Sequence, residues 1–343
     1  MLLFNFTGSE DLLGNSSSTG RGSVEQVLVP ILDGLVLVLG VGGHTVVMMI
    51  LCGRRRSGRR PIGRSPPSST TGSGTDVLLL ALSAADLLLL SVLPFHTAAI
   101  ATQRWPFGDF MCRLVSFLGS ACSSASAFTL AVLAASRYLT VVRPATAFSL
   151  LSPRRVSVAA VLLWVPACCL AIPQLVFRFV GTRRRTPDSL ACFAFLSHRD
   201  QLIYGLFHFL VAFLLPLVTI AVAYGSIYMF LLGRQNAGRA PQVERYQSKV
   251  TQTSAMLVLA FTLCWLPSYG LTLALLVDES SGATGASPRY GPFSVFARLM
   301  ATSSTVINPI LYVLMSQKFR QDLLRLFKRG GQGASVAIPL AAA

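Results

Sequence analysis

The chain has 343 residues, of which 53% are hydrophobic and only 12% are charged. A soluble globular domain carries about 25% charged residues, so this composition excludes an ordinary soluble domain and indicates a membrane protein with several spans. The formal net charge of +16 raises nucleic-acid binding as an alternative, which depends on where the basic residues fall.

The N-terminal residues 1–26 are polar and rich in glycine and serine. They contain two N-glycosylation sequons, NFT at Asn5 and NSS at Asn15. The opening MLLFNF is too short for the apolar region of a signal peptide. We therefore predict an extracellular segment that is glycosylated and disordered.

Seven apolar runs follow, each of the length that crosses a bilayer. They cover approximately residues 27–52, 76–100, 109–141, 154–175, 201–232, 249–277 and 291–315. This pattern predicts an all-α membrane protein with a seven-transmembrane helix bundle over 27–315. Residues 316–328 alternate apolar and basic side chains at helical spacing, which predicts a short amphipathic eighth helix on the membrane surface. Residues 329–343 are expected to form a short disordered cytoplasmic tail.

The positions of the basic residues support one orientation. Seven spans put the termini on opposite sides, and an outer N-terminus leaves 19 of the 29 lysines and arginines on the inner side. This is the positive-inside bias of plasma-membrane proteins. Most of the net charge then comes from basic residues in inner loops, which lie beside anionic lipid. Nucleic-acid binding is therefore not expected.

The first inner connector, about residues 53–75, has an unusual composition. Six arginines are followed by SPPSSTTGSGT, which cannot bury enough apolar surface to fold. We interpret it as a disordered insertion that touches lipid headgroups. A contact with an intracellular partner, controlled by phosphorylation, is the alternative.

Several short motifs occur in order along the spans. They are WPFGDFMC at 105–112, ASRYL at 135–139, Trp164 with Pro166, Pro216 with Tyr224, FTLCWLP at 261–267 and NPILY at 308–312. With these motifs the chain resembles the rhodopsin-like (class A) G-protein-coupled receptors over about residues 27–328. The resemblance implies a receptor that binds an extracellular ligand and activates heterotrimeric G proteins by outward movement of the sixth helix.

The cysteines divide into two groups. Cys112 and Cys192 lie at the outer end of a span and in an outer loop, where oxidation is expected. A disulfide between them would fix the second outer loop to the third helix. The other cysteines lie within or at the ends of spans and are interpreted as packing residues: Cys52, Cys122, Cys168, Cys169 and Cys264.

The resemblance also implies an activation switch. Its residues here are Arg137, Tyr224, Phe261, Trp265, Pro267, Asn308, Pro309 and Tyr312. A proline removes a helical hydrogen bond, which gives either a static bend or a hinge, and the resemblance favours a hinge at Pro267. Arg137 is either a snorkelling arginine or the family's tie between the third and sixth helices. The family's acidic residue before it is Ser136 here, which predicts a looser resting state and ligand-independent signalling.

The outer half of the bundle excludes two kinds of ligand. Residues 118–123 hold no carboxylate for an amine, and the family's amine position is Gly119. A retinal Schiff base needs a lysine in the seventh span, which has none. The candidate ligand contacts are His96, Gly119, Ser120, Ser123, His208, Tyr269 and Arg298. Arg298 is alternatively a structural or snorkelling residue, and His96 and His208 are alternatively hydrogen bonds between helices. No metal ligands with suitable spacing are seen.

The second outer loop is basic, which favours a peptide ligand with an acidic group or a C-terminal carboxylate. WPFGDFMC and SAFTLA at 126–131 resemble the galanin, kisspeptin, somatostatin and urotensin receptors. An inhibitory-type G protein follows only from this resemblance. A decoy receptor without G-protein signalling is the alternative, and a transporter or an enzyme is not supported. Arrestin binding is weakly supported because the tail after Leu314 offers only Ser316 and Ser335 for phosphorylation.

His44 is a second departure from the family, which has an asparagine at this position. The resemblance implies a resting-state sodium pocket formed by Asp86, Ser126, Ser304 and Asn308, and His44 is expected to face Asp86. Neutral His44 could replace the asparagine as a hydrogen-bond donor. Alternatively, protonated His44 competes with sodium for Asp86. No cofactor is predicted apart from that ion.

Overall fold

The computed structural model describes residues 18–57, 70–182, 190–194, 198–236, 242–277, 291–315 and 319–326. The predicted glycosylation sites Asn5 and Asn15 lie outside these residues, as do most of the first inner connector and the C-terminal tail.

Helices make up nearly all of the described chain. They are α1 (Ser18–Ser57), α2 (Thr70–Thr102), α3 (Gly108–Val142), α4 (Pro144–Leu150), α5 (Pro153–Leu162), α6 (Trp164–Phe177), α7 (His198–Phe209), a π-helical turn (Leu210–Leu214), α8 (Leu215–Asn236), α9 (Gln242–Val277) and α10 (Gly291–Met315). A further helix, α11, covers residues 319–326. Each predicted apolar run falls on one of these helices or on a consecutive pair. α1 begins inside the predicted leader, and α1 and α2 extend into both ends of the connector predicted as disordered.

Length and composition identify most of the spans independently. Among the described residues, five stretches are long and apolar enough to cross a membrane: Gln26–Arg55, Gly74–Thr102, Gly108–Val142, Pro153–Phe177 and Arg199–Arg234. A shorter apolar segment, Val258–Ala274, lies in α9. α10 is 25 residues long and carries a charged residue, Arg298, in its outer half.

Two prolines coincide with irregular turns in the helices. The backbone of Pro216 has no N–H to donate to the carbonyl of Ala212, which lies in the π-helical turn. Pro166 likewise cannot donate to Leu162, and α5 ends at that residue. By contrast, Pro267 and Pro309 lie inside continuous helices.

The central helix of the bundle is α3, which packs against α2, α6, α8 and α9. Its buried face is rich in alanine and serine. These small residues let the neighbouring helices approach closely. α1 packs on α2 and α10, and α10 packs on α9. Two glycines make the α1 contacts close. A Cβ on Gly40 would lie 2.7 Å from Leu90, and one on Gly43 would lie 2.9 Å from Pro309.

A two-stranded hairpin covers the outer end of α3. Strands β1 (Arg178–Thr182) and β2 (Leu190–Ala194) are antiparallel, and Val180 is opposite Cys192. The predicted disulfide between Cys112 and Cys192 is confirmed. Asp109 at the start of α3 accepts a hydrogen bond from the backbone N–H of Val180 at 2.9 Å. The hairpin is therefore fixed to α3 by a covalent bond and by a hydrogen bond.

Candidate functional site

A cavity lies between α2, α9 and α10 in the outer half of the bundle. Its walls are mostly apolar and include Leu89, Leu90, Val92 and Leu93 of α2, together with Ala301 of α10. The polar and aromatic side chains at its edge are His96, Trp265, Arg298, Thr302 and Thr305. A mostly apolar cavity with a few polar groups is typical of a ligand site.

Arg298 at this cavity is paired with a residue that the sequence analysis did not identify. Its Nη2 donates to Asp33 of α1, at 2.9 Å to Oδ2 and 3.1 Å to Oδ1. Thr97 of α2 donates to the same carboxylate at 2.7 Å. Asp33 is 1% exposed and Arg298 is 7% exposed. This pair joins α1 to α10. It therefore supports the alternative in which Arg298 is a structural residue.

Asp33 could have been found from sequence. It is an acid within an apolar run, and an ionisable residue inside a span is expected to have a partner. The hydropathy pattern alone does not say which partner, because Arg298 lies 265 positions further along the chain.

His208 lies in a different group of side chains, between α3, α7 and α9. Its Nε2 is 3.3 Å from the hydroxyl of Ser124, and its ring stacks on Tyr269 with centroids 6.2 Å apart. Tyr269 also stacks on Phe213 at 4.5 Å and lies 6.2 Å from Trp265. These aromatic rings link His208 to the wall of the cavity.

The remaining ligand candidates, Gly119, Ser120 and Ser123, are buried on α3. The hydroxyls of Ser123 and Ser124 both donate to the carbonyl of Ser120, four residues or fewer away. The structure thus brings His96 and Arg298 to one cavity, whereas His208 and Tyr269 belong to the aromatic group beside it.

A polar centre lies deeper in the bundle, around the buried carboxylate of Asp86. Asn308 donates to its Oδ2 at 2.7 Å, and Ser126 donates to its Oδ1 at 3.3 Å. Ser304, the other predicted member of the pocket, lies on α10, and its hydroxyl donates to the carbonyl of Ala301 in its own helix. Carboxylate, amide and hydroxyl oxygens suit a hard cation such as sodium, so these residues fit the implied ion.

His44 faces this centre from α1 and is completely buried. Its Nε2 is 2.7 Å from the carbonyl oxygen of Thr305 and 3.4 Å from Oδ2 of Asp86. A carbonyl oxygen only accepts, so Nε2 carries the hydrogen in this arrangement. His44 therefore places an N–H donor beside the carboxylate, and it ties α1 to the backbone of α10.

The residues of the predicted switch lie along α3, α8, α9 and α10. The ring of Trp265 is 5.8 Å from that of Phe261, one turn further toward the inner side. Tyr312 near the inner end of α10 packs on Phe319 of α11, with centroids 6.1 Å apart. Ser136 donates its hydroxyl to Leu133 of its own helix at 2.7 Å. It therefore gives the neighbouring Arg137 no negative charge.

A second group of charges lies at the inner end of α1. Arg54 contacts Asp322 of α11 at 2.6 Å and Asp76 of α2 at 3.5 Å. Its guanidinium group also lies over the ring of Phe319, 6.0 Å from the centroid. Arg54 belongs to the connector interpreted as touching lipid headgroups or an intracellular partner, and this cluster was not predicted.

These features define a class of protein. A seven-helix membrane receptor has long apolar helices and an outer hairpin held by a disulfide. It also has an outer cavity with a buried polar centre beneath it. The family model described as 7 transmembrane receptor (rhodopsin family) matches residues 68–312, and the chain belongs to this family.

The similar proteins are peptide receptors. Galanin receptor type 3 of Mus musculus is 31% identical over 322 residues, which cover 92% of this chain and 82% of that protein. Somatostatin receptor type 4 of Rattus norvegicus is 30% identical over 318 residues, covering 90% of this chain and 75% of that protein. The resemblance and the predicted fold class are confirmed, and these relatives are receptors, not enzymes.

Proposed function

We propose that the protein is a plasma-membrane receptor that binds an extracellular peptide in its outer cavity and activates a heterotrimeric G protein inside the cell. The observation that carries this proposal is the position of Trp265. Its side chain lines the cavity, and Pro267 lies two residues away in the same helix. A ligand in the cavity can therefore act directly on the part of α9 that is able to bend.

Transmission to the inner side follows α9 and α10. Displacement of Trp265 also displaces Phe261, which packs against it. Asn308 and Pro309 link the same region to Asp86 and to the inner half of α10. The ligand and the G protein should raise each other's affinity, because coupling between two sites is reciprocal. The N-terminus is extracellular in this proposal, and the G protein is of the inhibitory type.

A peptide ligand is supported by the relatives and by the structure of the outer end. The relatives carry the names of galanin and somatostatin receptors. The hairpin covers the outer end of α3, where the partly exposed Arg113 is paired with Asp109 at 2.6 Å. The sequence between the two strands is basic, and it would add positive charge at the entrance.

The proposal is tested by screening a neuropeptide library, including galanin and somatostatin, on cells that express the chain. The readout is dissociation of G-protein subunits, measured for the main G-protein types. We expect at least one peptide to give saturable dissociation with the inhibitory type. The variant Arg137→Ala should keep peptide binding and lose dissociation. Peptide binding without dissociation in the wild type would contradict the proposal and favour a decoy receptor.

Ser136 is the observation that favours a decoy, because it leaves Arg137 without the family's neighbouring charge. We expect instead that it raises ligand-independent signalling. The variant Ser136→Asp should lower basal G-protein dissociation by about fivefold, since an ion pair of about 1 kcal/mol shifts a two-state equilibrium by that factor. Ser136→Asn, which has the same shape without the charge, is the matched control. Equal, negligible basal signals in all three proteins would contradict this expectation.

A further inference from the structure

The pair of Arg298 and Asp33 is incomplete on the arginine side. Both contacts run through Nη2, which donates to the two oxygens of Asp33. A guanidinium group has five N–H donors in a rigid fork, and a carboxylate that binds it fully takes two nitrogens. Asp33 therefore contacts one nitrogen of Arg298, and in the part of the chain that the structure describes no acceptor contacts Nε or Nη1.

Arg298 presents this guanidinium group to the outer cavity, which it lines together with His96. A second buried arginine acts on the same histidine. Arg178 of β1 is 2% exposed, and both arginines interact electrostatically with His96. Among the described residues that line the cavity, none is a carboxylate. Asp33 is the carboxylate that contacts Arg298, and it reaches the group from α1, beside the cavity.

Asp33 also has a second donor. Thr97 donates to Oδ2 at 2.7 Å, and this hydrogen bond joins α1 to α2 without involving α10. If Arg298 turned toward another anion, Asp33 would keep this bond. The contacts therefore permit a second state, in which Arg298 binds an acceptor in the cavity in place of Asp33.

We propose that Arg298 is an anion-binding subsite of the outer cavity that takes a carboxylate of the ligand, with Asp33 as its resident counter-ion. The inference rests on the proposed function only in taking this cavity as the ligand site. A carboxylate with an apolar neighbour suits the site, because the leucines of α2 face the same space. Binding of this carboxylate weakens the link between α1 and α10, and Asp33 in turn lowers the affinity for it.

The test uses purified wild-type receptor in detergent and a matched pair of probes. N-acetyl-leucine carries an apolar side chain and a carboxylate, and N-acetyl-leucinamide has the same shape without the charge. The thermal unfolding midpoint is measured against probe concentration, and neither a peptide agonist nor a G protein is needed. We expect the acid to raise the midpoint by about 2–4 °C at saturation. The amide should leave the midpoint unchanged.

Substitutions then assign the effect to the pair. In Asp33→Asn the acid should act at about tenfold lower concentration, the factor expected when Asp33 occupies Arg298 about nine-tenths of the time. Arg298→Gln and the double variant Asp33→Asn with Arg298→Gln should not respond. The double variant buries no unpaired charge, so it keeps the test decisive if a single variant fails to fold. Arg199→Gln, which removes an exposed arginine near the start of α7, should respond as the wild type does.

Two results would overturn the inference. One is an equal response to acid and amide in the wild type, and the other is a response to the acid that persists in the double variant. Both concern the unliganded receptor, so they are distinct from a failure of the proposed function, which is a lack of G-protein dissociation with every peptide.

Discussion

The two ends of α1 make contrasting ionic contacts with other helices. At the outer end, Asp33 and Arg298 are almost completely buried, with side chains 1% and 9% exposed. At the inner end, Arg54, Asp76 and Asp322 are 17–20% exposed. The same kind of interaction therefore has different consequences. A buried pair is costly to break because it leaves an uncompensated charge, whereas a partly exposed one is screened by water and salt.

The largest effect is expected from breaking the outer pair on one side. Arg298→Gln or Asp33→Asn should destabilise the receptor by about 3–5 kcal/mol, because the remaining charge is buried without its partner. The double neutral variant should recover most of this loss. Thermal unfolding of the purified receptor is the measurement. If the single and double variants lost equal stability, the pair would have no special energetic role.

Close packing in the middle of α1, between the two ionic contacts, can also be tested. Gly43→Ala puts a methyl group 2.9 Å from Pro309 and should destabilise the receptor by about 1–3 kcal/mol. Gly42→Ala is the matched control, because a Cβ added at Gly42 would meet no atom of the described residues within 4 Å. That control should be neutral or stabilising by about 0.5–1 kcal/mol, since alanine is the better helix former. Equal effects of the two substitutions on thermal unfolding would show that α1 does not pack closely on α10 here.

His44 allows the polar contact of α1 to be tested by function. If protonated His44 competes with sodium for Asp86, then His44→Asn should make agonist binding sensitive to sodium. We expect sodium to lower agonist affinity at least about fivefold in this variant and little in the wild type. Adding Asp86→Asn to His44→Asn should abolish the sodium effect. Radioligand binding with and without sodium chloride, at constant ionic strength, measures it. If the sodium response of His44→Asn were unchanged, competition with sodium would be contradicted. His44 would then act as a neutral hydrogen-bond donor in place of the asparagine.

The smallest effect is expected at the inner end. Arg54→Gln should cost about 1 kcal/mol, since water and salt reach this partly exposed cluster, and the loss should shrink in high salt. Arg55→Gln is the neighbouring control, since Arg55 is not part of the cluster. Thermal unfolding at low and high salt measures both. A loss at the inner end as large as that at the outer end would remove the contrast between them.

Sequence reasoning predicted the helices of this fold well because the bilayer imposes one length and one composition on every span. All seven predicted runs lie on helices, and the cysteine pair followed from position alone. The β1–β2 hairpin was not predicted, since it depends on attachment to α3.

The candidate site was less accessible to sequence reasoning. Arg298 stood out as a charge in a span, but its partner Asp33 did not, because periodicity carries no information on pairs of distant residues. The acceptor of His44, the carbonyl of Thr305, is a backbone atom that no side-chain pattern specifies. Arg54 was assigned by composition to a connector that touches lipid or an intracellular partner, and only packing of α11 brings Asp322 to it.

The π-helical turn at Leu210–Leu214 has a geometric consequence for the fifth span. An α-helix advances about 100° per residue, so the extra residue in this turn rotates α7 by that angle relative to α8. The rotation helps to aim His208 at Ser124 and Tyr269 while the face of α8 that includes Ile227 stays toward the core. Deleting one residue from this turn would restore a continuous helix, and His208 would then face away from the aromatic group.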